Sequence, residues 1–178
     1  DCILFFRLGD FYEMFGQDAV KASKILNITL TARQKGTPNE TPLCGIPYHA
    51  ADSYIAKLTK SGNKVAICEQ VSDPKLPGIV KREVVRIITP GTTLDSNILE
   101  NKQNNFLLSL VNKNNQWGIA FVDLTTGEFR LFELTKTDDL LNELNRILPS
   151  EIIINQDLND NLELKTKLNT ISNLNLFQ

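Results

Sequence analysis

One histidine, one methionine, one tryptophan and three cysteines leave this sequence poor in the residues that most often bind metals or carry redox chemistry. Cys2, Cys44 and Cys68 are odd in number and include no Cys-x-x-Cys pair. They argue against a disulfide scaffold and for a reducing, cytoplasmic setting. With His49 alone beside three scattered cysteines, no zinc site is expected. No apolar run approaches the roughly 20 residues that a membrane span needs. The opening Asp1-Cys2-Ile3-Leu4-Phe5-Phe6 lacks the basic start and small-residue cleavage site of a signal peptide. Neither sign of charge dominates: 19 Lys+Arg face 21 Asp+Glu, a net of -2. That argues against a protein that coats nucleic acid by bulk charge, yet leaves room for a local basic surface. No Gly-x-x-x-x-Gly-Lys-Ser/Thr phosphate loop occurs.

What is present is the composition of a folded protein, 42% hydrophobic and 22% charged over 178 residues. That length suits one large domain or two small ones. The two halves differ. Residues 1–100 hold 12 Lys+Arg and 11 Asp+Glu, whereas residues 101–178 hold 7 and 10 and are rich in Asn and Leu. Six of the seven prolines lie in the first half. The expected boundary is the polar stretch from Pro90 to Gln103. The start without Met and the end on Phe177-Gln178 suggest a piece of a longer protein.

The first half reads as helices and strands around one sheet. Ile3 to Arg7 and Phe11 to Phe15 are strand patterns around a Gly9-Asp10 turn. Asp18 is an expected cap for a helix to about Leu26. Ile28 to Arg33 alternates as a strand, and residues 34–47, with Gly36, Pro38, Pro42 and Pro47, read as a loop. A helix from about Ala50 to Lys60 has Ala51, Tyr54, Ile55 and Leu58 at i, i+3, i+4, i+7 and stops at Gly62. Val65 to Gln70 and Val80 to Thr89 are further strands, joined by a loop with Pro74, Pro77 and Gly78. In the second half, Asn105–Val111, Trp117–Leu124 and Glu128–Leu134 form a meander with short, turn-rich joints. Thr137 would cap a helix carrying Leu140, Leu141, Leu144 and Leu148. Glu151-Ile152-Ile153-Ile154-Asn155 is a continuous apolar run of the kind that fills a covered parallel position. The order β-β-β-α-β is how a ribonuclease-H-like fold begins. The expected class is mixed α/β.

The most informative stretch is Gly9-Asp10-Phe11-Tyr12-Glu13-Met14-Phe15. Extended, it projects Phe11, Glu13 and Phe15 from one face and Tyr12 and Met14 from the other. Physics alone permits two readings, an edge strand with a solvated carboxylate or an aromatic wedge beside a hydrogen-bonding group. A Phe can slip between base steps and kink a duplex, whereas a carboxylate near phosphates needs a specific partner on a base edge. These residues resemble the Phe-x-Glu motif of the MutS family of DNA mismatch repair proteins. Leu30-Thr31-Ala32-Arg33, Gly45-Ile46-Pro47-Tyr48-His49-Ala50, Val65-Ala66-Ile67-Cys68-Glu69-Gln70 and Arg82 to Thr92 resemble later strings of the same family, in order. Asp123-Leu124-Thr125-Thr126-Gly127-Glu128-Phe129 carries a weaker resemblance to the front of its connector domain.

The resemblance implies a mismatch-recognition domain over 1–92, a linker over 93–103 and a truncated, ribonuclease-H-like connector domain over 104–178. It also implies that Phe11 stacks on a mispaired base and Glu13 hydrogen-bonds to it. Arg33 and Arg82 become candidates for phosphate contacts, within two basic stretches that also hold Lys21, Lys24 and Lys35, then Lys75, Lys81 and Arg86. The implied partners are double-stranded DNA with a mismatch or small loop, a second copy in the full-length protein, and MutL through the connector. ATP and Mg belong, by the same resemblance, to an ATPase domain outside this chain, so neither catalysis nor a cofactor is expected of it. Asp123 and Glu128 could suggest a two-metal nuclease site, but two acids at a hairpin are more often surface turn residues, and no full carboxylate set accompanies them.

Overall fold

The computed structural model describes residues 2–72, 78–93, 104–168, 171 and 175–177. They divide into two compact units, Asp1–Thr89 and Pro90–Gln178. Both are mixed sheets with helices, the class expected from the sequence pattern.

The first unit runs β1 (Ile3–Leu8), β2 (Phe11–Phe15), α1 (Gly16–Leu26), β3 (Thr31–Arg33), β4 (Thr41–Pro47), α2 (Ala51–Lys60), β5 (Val65–Gln70) and β6 (Arg82–Ile88). The sheet order is β3-β4-β2-β1-β5-β6. Only β1 and β5 pair in parallel. Alternation sends Ile3, Phe5, Tyr12, Met14, Cys44, Ile46, Val65, Ile67 and Ile88 to one face. There they pack with Ala19, Ala22 and Leu26 of α1 and with Ala51, Ile55 and Leu58 of α2. Each large side chain buried this way contributes roughly 1.5–3 kcal/mol, so this one layer is the main stabilisation of the unit. Among the described residues, the opposite face carries no helix.

Several local expectations change. Residues 41–47 are a strand, not loop: β4 lies between β3 and β2. Its prolines are tolerated because Pro42 faces the three-residue β3 and Pro47 ends the strand beyond it. The strand expected from Ile28 begins only at Thr31. Asp18 does not cap α1, which starts at Gly16. It lies in the first turn, and its carboxylate accepts the Leu4 N–H at 3.0 Å, tying the helix to β1. Asn27, at φ +54°, closes the helix in the left-handed region. Gly62, at φ +77°, follows α2 as anticipated. Pro74 and Pro77 lie outside the described residues.

The second unit begins with a short 3-10 turn, Pro90–Thr92. It continues as β7 (Phe106–Lys113), β8 (Gln116–Asp123), β9 (Glu128–Leu134), α3 (Thr137–Ile147), β10 (Glu151–Ile154), α4 (Gln156–Asn159), α5 (Leu162–Leu168) and β11 (Leu176–Phe177). The sheet order is β11-β10-β7-β8-β9. β7, β8 and β9 form the expected antiparallel meander, and β10 pairs in parallel with both β7 and β11. Leu140, Leu144 and Ile147 of α3, with Leu158, Leu164 and Leu168, cover Leu108, Leu110, Trp117, Ile119, Phe121, Ile152 and Ile154. Thr137 is the first residue of α3 rather than its cap, which is Lys136. β10 is parallel but covered on one face only, because Ile153 is exposed. The Gly91 N–H donates to Glu151 Oε2 at 2.8 Å, and Asn105 Nδ2 donates to the Pro90 carbonyl at 3.0 Å. Residues 94–103 of the expected linker lie outside the described residues.

Candidate nucleic-acid interface

The β1–β2 hairpin turns at Gly9-Asp10, with Gly9 at φ +58°, a conformation that glycine adopts without a Cβ penalty. The Tyr48 N–H donates to the Asp10 carbonyl at 2.9 Å and pins the turn from the neighbouring segment. The register pairs Phe6 with Glu13, Arg7 with Tyr12 and Leu8 with Phe11. Phe11, Glu13 and Phe15 therefore share the helix-free face, while Tyr12 and Met14 enter the core. Phe11 is 48% exposed, the one exposed phenylalanine of this unit, and Tyr12 is buried. Phe6 and Phe15 flank the same face, edge to face at 6.2 Å.

Gly45 of β4 pairs with Glu13, and Pro47 pairs with Phe11. A Cβ on Gly45 would meet Glu13 Cγ at 3.7 Å and Phe11 Cδ1 at 3.9 Å. The missing side chain leaves the space between the ring and the carboxylate open. Sequence reasoning passed over Gly45 because its segment reads as loop. A Cβ at these distances would make ordinary van der Waals contacts, so the glycine leaves room there without being forced by a close approach.

Arg33 and Arg82 lie on the same face as Phe11 and Glu13. Arg33 pairs with Thr41 on the edge strand β3, in phase with Leu43 opposite Phe15, and its side chain is exposed. Arg82 pairs with Gln70 on the other edge, about five strand spacings or roughly 24 Å from β3. Its guanidinium is engaged within the unit. Nε donates to the Arg7 carbonyl at 2.8 Å, Nη1 donates to the Val80 carbonyl at 3.0 Å, and the group lies 5.1 Å from the Phe6 ring centre. Arg86 does not share that face, contrary to plain alternation. A bulge opposite Ile67/Cys68 inserts Val85, so Val84 pairs with Cys68 and Arg86 with Ile67 on the helix side. Lys81 pairs with Glu83 at 3.6 Å, and Lys75 lies outside the described residues.

The cysteines do not converge. Cys44 faces the helices, where burial pushes its thiol up to about 11, and Cys68 faces the other way, beneath Arg82. His49 stands in a 3-10 turn against Tyr48.

The acidic pair of the second unit is not the surface feature expected. Asp123 is wholly buried. Its carboxylate accepts the backbone N–H groups of Asn105 at 3.1 Å, Thr125 at 2.8 Å and Thr126 at 3.4 Å, and the Thr125 hydroxyl at 2.6 Å. Burial alone would raise its pKa, but these donors outweigh that and hold the carboxyl below the usual range. Glu128 is paired with Arg130 at 2.7 Å. Asp123 thus spends its acceptors on closing a turn.

Comparison with known proteins gives two adjoining family matches. Residues 1–97 match the model of MutS domain I, and residues 105–178 match that of MutS domain II. The chain is similar to proteins named DNA mismatch repair protein MutS. That of Ruminiclostridium cellulolyticum is 53% identical over 172 residues, 94% of this chain and 20% of the relative. That of Staphylococcus haemolyticus is 48% identical over 171 residues, 96% of this chain and 19% of the relative. That of Staphylococcus epidermidis is 52% identical over 173 residues, 97% and 20%. The chain spans about a fifth of the length of these relatives.

Proposed function

The chain belongs to the MutS family, and from that premise we propose that its first unit reads mispaired and unpaired bases in double-stranded DNA. Phe11 is the wedge and Glu13 the hydrogen-bonding reader. The observation that carries this reading is the pairing of a half-exposed Phe11 with Glu13 on the helix-free face. An aromatic ring at a sheet surface, with nothing bulky on Gly45 beside it, can enter a softened base step.

Unstacking a step costs a few kcal/mol, and less where the bases are already mispaired, so one ring suffices to discriminate. Arg33 supplies a phosphate contact, which positions the duplex without reading sequence. Arg82 is a weaker candidate for the same role, because two of its donors are already used. A dimer around the duplex, contact with MutL through the second unit, and ATP with Mg in a further domain are inferred from family membership alone. No catalytic step is assigned to these residues.

The test is binding of the full-length protein to a G·T duplex and to its matched counterpart across a salt series. Phe11→Ala should erase the preference for the mismatch. Glu13→Ala should lower the preference while leaving matched binding equal or stronger, since a negative charge near phosphates has gone. Parallel weakening of both duplexes by Glu13→Ala would make that residue structural.

A further inference from the structure

The reader strand is backed by an arrangement that the preceding reading leaves unused. Tyr12, between Phe11 and Glu13, points to the helix side and is buried. Its hydroxyl donates to Glu69 Oε1 of β5, two strands away. The other carboxylate oxygen of Glu69 is 3.9 Å from Arg7 Nη1. Arg7 stands directly opposite Tyr12 in the hairpin register. Its guanidinium lies 3.7 Å from the Tyr48 ring centre and 5.6 Å from that of Tyr12. Its Nε donates to the Gly9 carbonyl, two residues before Phe11. One guanidinium therefore touches the turn, the back of the reader strand and the segment that pins Asp10.

An arginine beside a DNA-facing hairpin invites assignment as a phosphate contact, but this one is turned inward and held by aromatic faces and a carboxylate. A planar fork suits that role, and lysine could not reproduce both the stacking and the directed hydrogen bond. A strand gripped from behind at the residue between Phe11 and Glu13 cannot rotate or slip without breaking the grip, and a slip of one residue would send Phe11 to the wrong face.

We propose that Arg7, Tyr12 and Glu69 are positioning residues, a relay behind β2 that holds Phe11 and Glu13 in the orientation needed to probe a base step. This rests on the wedge reading of Phe11.

The test uses the full-length protein with Tyr12→Phe, Glu69→Gln and the double variant, and Phe11→Ala as the reference. Two quantities are read: the ratio of mismatched to matched affinity, and the fluorescence of a 2-aminopurine beside the mismatch, which reports unstacking. Tyr12→Phe removes the hydrogen bond to Glu69, and Glu69→Gln keeps an acceptor but removes the charge that faces Arg7; each should lower the ratio roughly threefold to tenfold and reduce the unstacking signal. Matched affinity should stay within about twofold, because no phosphate contact is lost. The double variant should be no worse than the stronger single one, as for residues acting through one link.

An unchanged ratio in Tyr12→Phe and Glu69→Gln, with Phe11→Ala still abolishing discrimination, overturns the relay alone. Full discrimination in Phe11→Ala overturns the wedge reading and the relay with it. Loss of both affinities in step with a lowered unfolding midpoint also overturns the relay, since that is general destabilisation. Arg7→Lys is the second arm: it keeps the charge and should still lower the ratio. A ratio equal to the parent's there shows that no relay operates through the guanidinium.

Discussion

Two hairpins in this chain place an aromatic ring and carboxylates beside a tight turn, and they use them in opposite ways. In β1–β2, Glu13 lies half-buried beside the exposed ring of Phe11, with the bare backbone of Gly45 opposite it. In β8–β9, Asp123 is buried under four donors and Glu128 is paired with Arg130, while Phe129 projects with 61% of its surface exposed. The more exposed ring is thus not the one with a free-standing carboxylate two residues along its own face. Exposure alone does not make a site. What distinguishes the first hairpin is a carboxylate next to the ring on the same face, two residues along, and the contacts of Tyr12 behind it.

The largest effect expected is on stability, in the second hairpin. Asp123→Ala would leave the Asn105, Thr125 and Thr126 N–H groups and a hydroxyl without their acceptor inside the unit. Of these donors only the Asn105 N–H is buried, whereas Thr125 and Thr126 are exposed and can turn to water, so a loss of roughly 1–3 kcal/mol is expected in urea unfolding. Glu13→Ala should change the unfolding free energy by less than about 0.5 kcal/mol. The carboxyl of Asp123 is depressed in the folded state. Its contribution is therefore present above the unfolded carboxyl range and is lost as pH falls through the lower folded value. Asp123→Asn should flatten the acid limb of the stability profile. An unchanged acid limb would mean that another carboxylate dominates it.

An alkaline counterpart exists in the first hairpin. Burial first, and then the bond to Glu69, push the Tyr12 phenol up to about 12. A raised folded pKa stabilises the protonated state, so this contribution is full below the unfolded value near 10 and fades as pH rises toward 12. Tyr12→Phe should reduce the loss of stability over that window, read as unfolding midpoints at a series of alkaline pH values.

Much of this contrast was legible before the fold was known, because period-two alternation alone sends Phe11 and Glu13 to one face and Tyr12 to the other. The meander was legible for the same reason, and the parallel β10 from its continuous apolar run, although one face of it is open. The rest was hidden where proline and glycine did two jobs at once. Pro42, Gly45 and Pro47 read as loop, yet Gly45 is the bare spot beside Glu13 and Pro47 faces Phe11 across the sheet. Plain alternation would put Arg82 and Arg86 on one face, but a single inserted residue separates them. No local pattern announces a bulge whose cause is pairing with a distant strand. The burial of Asp123 was hidden likewise, because its Asn105 donor lies 18 residues away in sequence.

The two arginines offer a finer separation. Arg33 is exposed, so Arg33→Ala should weaken matched and mismatched binding about equally and reduce the salt slope by about 1. Its unfolding midpoint should hardly move. Arg82→Ala removes two hydrogen bonds to backbone carbonyls and a contact with Phe6. It should cost about 1 kcal/mol of stability and change the salt slope less than Arg33→Ala does. Equal salt slopes in the two variants would mean that Arg82 leaves its internal partners when DNA binds.

The smallest effect is expected at Phe129, and it bears most directly on what separates the hairpins. Phe129 has the greater exposure, and it too projects from the face of its sheet opposite the buried core, since it pairs with Val122. If an exposed ring beside a turn were enough, Phe129→Ala would be expected to alter mismatch preference to the same degree as Phe11→Ala. Phe129, however, has Val122 across from it, and the nearest carboxylates are turned elsewhere, Asp123 into its own turn and Glu128 onto Arg130. Phe129→Ala should therefore leave both the mismatch ratio and the 2-aminopurine signal within about twofold of the parent, and the unfolding midpoint within about 0.5 kcal/mol, as for surface positions generally. A marked loss of mismatch preference in Phe129→Ala would show that discrimination does not reside in the Phe11–Glu13 pair alone.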